Sequence, residues 1–163
     1  MIERKGDAMN SVLRRRGFLA GMGAAGLLHA GLTPAQMVQT VEVWKDPNCG
    51  CCKDWIAHIE KSGFKAKVHE TGNVAARSRL GLPQKLGSCH TALVQGYVIE
   101  GHVPAKDMLR LLKEKPQALG LAVPGMPVGS PGMDDPAYGG RRDRYDVLLV
   151  LKDGRTRVFN SYA

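Results

Sequence analysis

Three of the four cysteines in this chain fall within four positions, in the run Pro47-Asn48-Cys49-Gly50-Cys51-Cys52-Lys53. Cys49 and Cys52 form a C-x-x-C pair followed by a lysine. At a helix start, unpaired backbone N–H groups and the helix dipole stabilise thiolate, and Lys53 adds positive charge. Thiolate serves two chemistries, disulfide exchange and metal ligation. Cys51 stands between them. A dithiol oxidoreductase built on Cys49 and Cys52 needs only two sulfurs, and a third beside them invites scrambling. Three thiolates on one turn can instead converge on a soft metal, Cu(I) or Zn(II). A zinc site would normally be closed by a second knuckle, and no second C-x-x-C exists. Cu(I) therefore ranks ahead of zinc. A third reading is a structural staple of two disulfides, common in exported proteins, which the adjacency of Cys51 and Cys52 makes awkward.

The remaining donors extend the set. Cys89-His90 is the other sulfur-bearing candidate, and both residues are expected to face the cysteine run as ligands. Met126, in Val123-Pro124-Gly125-Met126-Pro127, is a soft Cu(I) donor on a loop able to fold over the cluster, and is preferred to Met133. His102 stands where a strand passes into a helix, open to a site role or to helix capping; it is retained as a candidate ligand. His58 is expected on a helix without ligating, and His69 at a strand end facing away. Trp44 and Trp55 are expected to pack around the site.

These residues need elements to hold them. Residues 40–44 and 64–69 alternate as strands, and 53–62 carries an apolar stripe at helical spacing, closed by Ser62-Gly63. Residues 73–80 predict a short helix. Residues 91–94 and 97–100 read as a hairpin around Gln95-Gly96, and 104–115 as a helix with proline at its start. The order β-α-β-α-β-β-α is that of the thioredoxin-like fold, an α/β sheet covered by helices on both faces. In that fold chemistry sits after the first strand, where the cysteines fall. The run itself resembles a thioredoxin active site with Cys51 in place of the usual proline. Residues 117–142 hold six Gly, four Pro and two Met without periodicity and read as a long loop. Residues 145–151 and 156–159 form a C-terminal β-hairpin.

The first 35 residues read as an address. Arg14-Arg15-Arg16-Gly17-Phe18-Leu19 resembles a twin-arginine export signal, followed by a short Gly/Ala-rich apolar run and a cleavage site at Thr33-Pro34-Ala35. The expected organisation is a cleaved signal over 1–35 and one domain over 36–163, periplasmic and without a stable membrane span. Of the 163 residues, 44% are apolar, which excludes a disordered chain. The formal charge is +8, and the signal carries five basic and two acidic residues of that balance. The remaining basic residues, including Arg141-Arg142-Asp143-Arg144, are interleaved with acids and accompany no nucleic-acid motif, so no nucleic-acid partner is expected.

Asn48-Cys49-Gly50-Cys51-Cys52 with Trp55, Ser88-Cys89-His90-Thr91-Ala92, residues 97–104, and the Gly/Pro/Met segments at 120–127 and 129–133 together resemble one family. It is the bacterial metal-binding family, long labelled a domain of unknown function, that includes the periplasmic copper-resistance protein CopG. The resemblance runs from about Val41 to Tyr162. It implies a thioredoxin-like fold and periplasmic copper handling, with Cys49, Cys51, Cys52 and Cys89 as ligands. The expected function is Cu(I) binding in copper resistance and homeostasis, with copper ions and periplasmic copper transporters or chaperones as partners. The alternative is a thiol-disulfide or copper oxidoreductase using Cys49 and Cys52.

Overall fold

A computed structural model describes residues 38–163, so the expected export signal over 1–35 lies outside the described residues. The β formers at the start give β1 (Gln39–Lys45), with Val41 and Val43 turned to one face and fully buried. The elements that follow are α1 (Gly50–Lys61), β2 (Phe64–His69), α2 (Val74–Arg79), β3 (His90–Val94), β4 (Tyr97–Glu100), α3 (Ala105–Glu114), β5 (Gly120–Ala122), β6 (Tyr145–Val150) and β7 (Thr156–Tyr162). All seven strands join one mixed sheet in the order β2-β1-β3-β4-β5-β6-β7. β1 runs parallel to β2 and β4 to β5; the other neighbours are antiparallel.

The sheet has a core on each face. On one, Val41 and Val43 pack with Trp55 and Ile59 of α1 and Met108 and Leu111 of α3. On the other, Leu82 and Leu86, which follow α2, cover Val98, Ala122 and Val150. Two buried faces explain why the inner strands read as near-continuous apolar runs.

Two expectations are corrected. The first helix begins at Gly50, three residues before the predicted start, so Cys51 and Cys52 lie inside its first turn and Cys49 is its N-cap. The apolar stripe starts only at Cys52 and Trp55, and no capping side chain marks the boundary. The segment 117–142 is not all loop, because it contains the inner strand β5. Leu119 ties its entry to both neighbours: its carbonyl accepts from Val98 N–H at 2.9 Å, and its N–H donates to the Val150 carbonyl at 2.8 Å. The C-terminal hairpin forms as expected, but β7 continues to Tyr162, and β5 joins the pair to the main sheet. No described helix is long and apolar enough to cross a membrane.

Candidate metal centre

The turn from β1 into α1 is held by its own polar groups. Asp46 accepts the Asn48 N–H on Oδ1 at 2.8 Å and the Cys49 N–H on its carbonyl at 3.1 Å. Lys45, buried at the end of β1, donates from Nζ to the Asp46 carbonyl at 2.9 Å and to Glu70 Oε1 at 3.2 Å. The helix then starts with cysteines at its N-cap and in its first turn. Cys52 is fully buried, beside Trp55 and Ile59 on the inner face of α1, while Cys49 and Cys51 are partly exposed.

Four sulfurs gather at this end of the sheet. Cys49 and Cys52 are joined as a disulfide, with their Cα atoms 5.4 Å apart; Cys51 and Cys89 are free. Cys51 Sγ lies 3.6 Å from Cys49 Sγ and 3.8 Å from Cys89 Sγ. Cys89 arrives from the turn before β3, 38 positions beyond Cys51 in the chain. That approach follows from the pairing of β3 with β1, where His90 stands opposite Lys45.

Cys89 also belongs to a second donor set. Its Sγ lies 3.0 Å from His102 Nε2 and 3.4 Å from His90 Nδ1. The four cysteine sulfurs lie within 4.8 Å of one another, and so do the donor atoms of Cys89, His90 and His102. His102 Nδ1 is 2.8 Å from the Pro131 carbonyl, which accepts its N–H and leaves Nε2 unprotonated, able to accept from the Cys89 thiol or to offer its lone pair to a metal. His90 Nε2 is buried without a hydrogen-bond partner. Its ring packs against Trp55 at 4.2 Å and His102 at 5.2 Å between centroids. The ring nitrogen that faces the Cys89 sulfur is Nδ1, and imidazole nitrogens together with thiols form a donor set that fits a soft or borderline metal.

The electrostatics favour the neutral forms of these donors. Burial lowers the pKa of His90 well below its ordinary value, and nearby His102 pushes it the same way. Burial also lowers His102, against opposing effects from the Pro131 carbonyl and Asp134. The Cys89 thiol is pushed up to about 12 by burial, and the Cys51 sulfur beside it adds to the shift. A metal binding there must therefore displace a proton.

The loop after β5 closes the site from one side. Gly132, at φ +85°, lies so close to α1 that a Cβ would stand 2.6 Å from the Cys51 carbonyl oxygen and 2.8 Å from Trp55 N. This close approach brings Pro131 to His102. Ser88 Oγ donates to the Gly125 carbonyl, tying the Gly125-Met126 turn to the residue before Cys89.

Cys49, Cys51, Cys52, Cys89, His90 and His102 are thus brought together, and His102, open between a site role and helix capping, lies with the cysteines. Met126 is 52% exposed and lines a surface groove with Pro124, Pro127 and Arg144. Met133 is buried and accepts a contact from the Tyr138 hydroxyl at 3.7 Å. Trp55 packs on the site and donates from Nε1 to the Val103 carbonyl at 2.9 Å. Trp44 departs from expectation: it stacks on His69 at 5.1 Å under the Arg79 guanidinium. Its side chain alternates with Val43 and faces the other side of the sheet. His58 accepts the Ala105 N–H on Nε2 at 3.0 Å and so caps α3. Sequence reasoning missed the Pro131 carbonyl and the buried Arg77–Glu100 pair. The one available signal was a glutamate ending the otherwise apolar strand Tyr97–Glu100.

The family model described as "Protein of unknown function, DUF411" matches residues 86–133. Two solved structures, both of a copper resistance protein CopG, are similar to this chain. Form 2 is 47% identical, with a TM-score of 0.71, over 77% of this chain and 99% of that chain. Form 1 is 48% identical, with a TM-score of 0.69, over 76% and 96%. No curated protein matches.

Proposed function

This chain belongs to the family of the copper resistance protein CopG, and from that premise we propose that it binds Cu(I) in copper resistance and homeostasis. The observation that carries the reading is the sharing of Cys89 between an all-sulfur set and a set with two buried imidazoles. Two donor sets joined at one sulfur suit more than one copper ion per chain. Copper is here the cargo, and the protein's part is to supply soft donors in a partly closed pocket. The Cys49–Cys52 disulfide withholds two of the six donors, so full capacity belongs to the reduced protein.

The test is a competitive Cu(I) titration of reduced protein without air. It is expected to give more than one copper per chain, and to lose that binding when all four cysteines become serine. Binding unchanged by that substitution overturns the reading. Four thiolates also suit zinc; a zinc arm of the titration, expected to be weaker than Cu(I), separates the metals.

A second reading, thiol-disulfide or copper oxidoreductase, is favoured by the Cys49–Cys52 disulfide at the start of α1. Stopped-flow thiol exchange on the metal-free protein tests it; turnover untouched by Cys49→Ser removes it. The parallel β1-α1-β2 unit beside antiparallel β3 and β4, followed by α3, supports a thioredoxin-like core. We place the protein in the periplasm, exported by a signal over 1–35 and handing copper to periplasmic transporters or chaperones. N-terminal sequencing of the exported protein is expected to begin at Gln36; an uncut chain counts against the signal.

A further inference from the structure

The turn carrying Cys89 is held by a buried ion pair. Ser88, immediately before Cys89, is bonded at both ends of its backbone. Its N–H donates to Glu100 Oε1 at 2.7 Å. Its carbonyl accepts from Arg77 Nη2 at 2.6 Å and from Asn73 Nδ2 at 3.1 Å. Arg77 and Glu100 are themselves paired, with Nη2 2.8 Å and Nε 2.9 Å from Oε1. The second carboxylate oxygen accepts from Thr91 Oγ1 at 2.6 Å. Arg77 is 5% exposed and Glu100 fully buried.

A buried ion pair contributes little net stability, because desolvation offsets the attraction. Its use lies in the arrangement it selects. Here both charges direct hydrogen bonds to one residue, and that residue adjoins the sulfur common to both donor sets. Gly87 supplies an independent sign of the same contact. A Cβ there would stand 2.8 Å from Arg77 Nη1, so the guanidinium lies flush against the loop backbone.

We propose that Arg77 and Glu100 are positioning residues for copper binding, clamping the Ser88 backbone so that Cys89 Sγ stays within reach of Cys51, His90 and His102. The pair touches no metal donor itself and acts through Ser88. The part of the proposal that concerns copper rests on the Cu(I) reading above; the part that concerns the Cys89 thiol does not.

The experiment uses the double variant Arg77→Met/Glu100→Leu, which removes both charges and leaves neither one buried alone. Two quantities are measured on the full chain. On reduced, metal-free protein, iodoacetamide alkylation of Cys89 is followed by mass spectrometry against Cys51. On the same protein, Cu(I) affinity is measured by chelator competition. Cys89 is expected to alkylate several-fold faster than in the parent while Cys51 keeps its rate; equal acceleration of both is general loosening and overturns the clamp. Cu(I) affinity is expected to fall about 10- to 100-fold, the usual effect of removing a group that orients a ligand. An unchanged Cys89 rate in the folded variant overturns the clamp. Where the double variant does not fold, Arg77→Lys carries the test. It keeps a cation beside Glu100 but lacks the fork that reaches Ser88, and an unchanged Cys89 rate there overturns the proposal equally. Cys89→Ser runs alongside: if it leaves Cu(I) affinity unaltered, the copper reading fails by itself, and alkylation still decides the clamp.

Discussion

Cys89 lies at the junction of two kinds of donor, with Cys51 Sγ at 3.8 Å on one side and His102 Nε2 at 3.0 Å on the other. Removing it takes a ligand from both sets, whereas removing Cys49 takes one from the sulfur set alone. Cys89→Ser is therefore expected to lower copper stoichiometry more than Cys49→Ser, as read by metal analysis of anaerobically loaded protein. Equal losses contradict the shared role. The protonation state of Cys89 gives a second prediction. Its thiol, pushed up to about 12, is protonated at neutral pH. Copper must release that proton, so Cu(I) affinity rises with pH, by up to about tenfold per unit for one proton. Chelator competition between pH 6 and 8, corrected for the chelator's own titration, measures the slope. Cys89→Ser is expected to flatten it.

At the scale of elements, the site is made where β1 turns into α1, the turn before β3 comes alongside, and the loop after β5 closes down. The loop's approach is so tight that Gly132→Ala sets a Cβ against the backbone of α1's first turn, at a φ that side chains rarely adopt. The expected cost is about 1–3 kcal/mol in urea unfolding. Copper affinity is expected to fall as well, because the Pro131 carbonyl loses its hold on His102 Nδ1. Wild-type stability counts against the close packing. This loop also marks where the sequence stopped being legible. The cysteine spacing and the β-α-β pattern led to the site, because helix and strand periods write themselves into apolar positions. β5 left no such pattern: three residues, Gly120–Ala122, all buried, give no alternation to read. Cys89 was placed by element order, but Arg77 was not placed with it. A buried arginine looks like a surface one until the strand delivering its glutamate is positioned in space.

For the molecule as a whole, three histidines that prefer to stay neutral stand at contacts between elements. His90 packs between Trp55 and His102, His102 joins β4's exit to the loop after β5, and His58 joins α1 to the start of α3. Burial depresses all three, with Asp134 opposing the shift at His102 and His58. A group whose folded pKa lies below its unfolded value binds its proton more readily in the unfolded chain. Above about pH 6.5, the ordinary histidine value, both states are deprotonated and these groups cost nothing. As pH falls below it, the unfolded state takes up protons first and the folded state loses relative stability. Metal-free protein is therefore expected to unfold at progressively lower urea concentration between pH 7 and pH 5. His90→Gln and His102→Gln are each expected to reduce that slope, whatever they do to stability at pH 7. Copper-loaded protein adds a further discrimination. If His90 and His102 are ligands, their nitrogens are taken by metal and the slope shrinks for as long as copper stays bound. Metal-loaded and metal-free proteins with the same pH slope, at confirmed full copper occupancy, argue against imidazole ligation and leave copper to the four sulfurs.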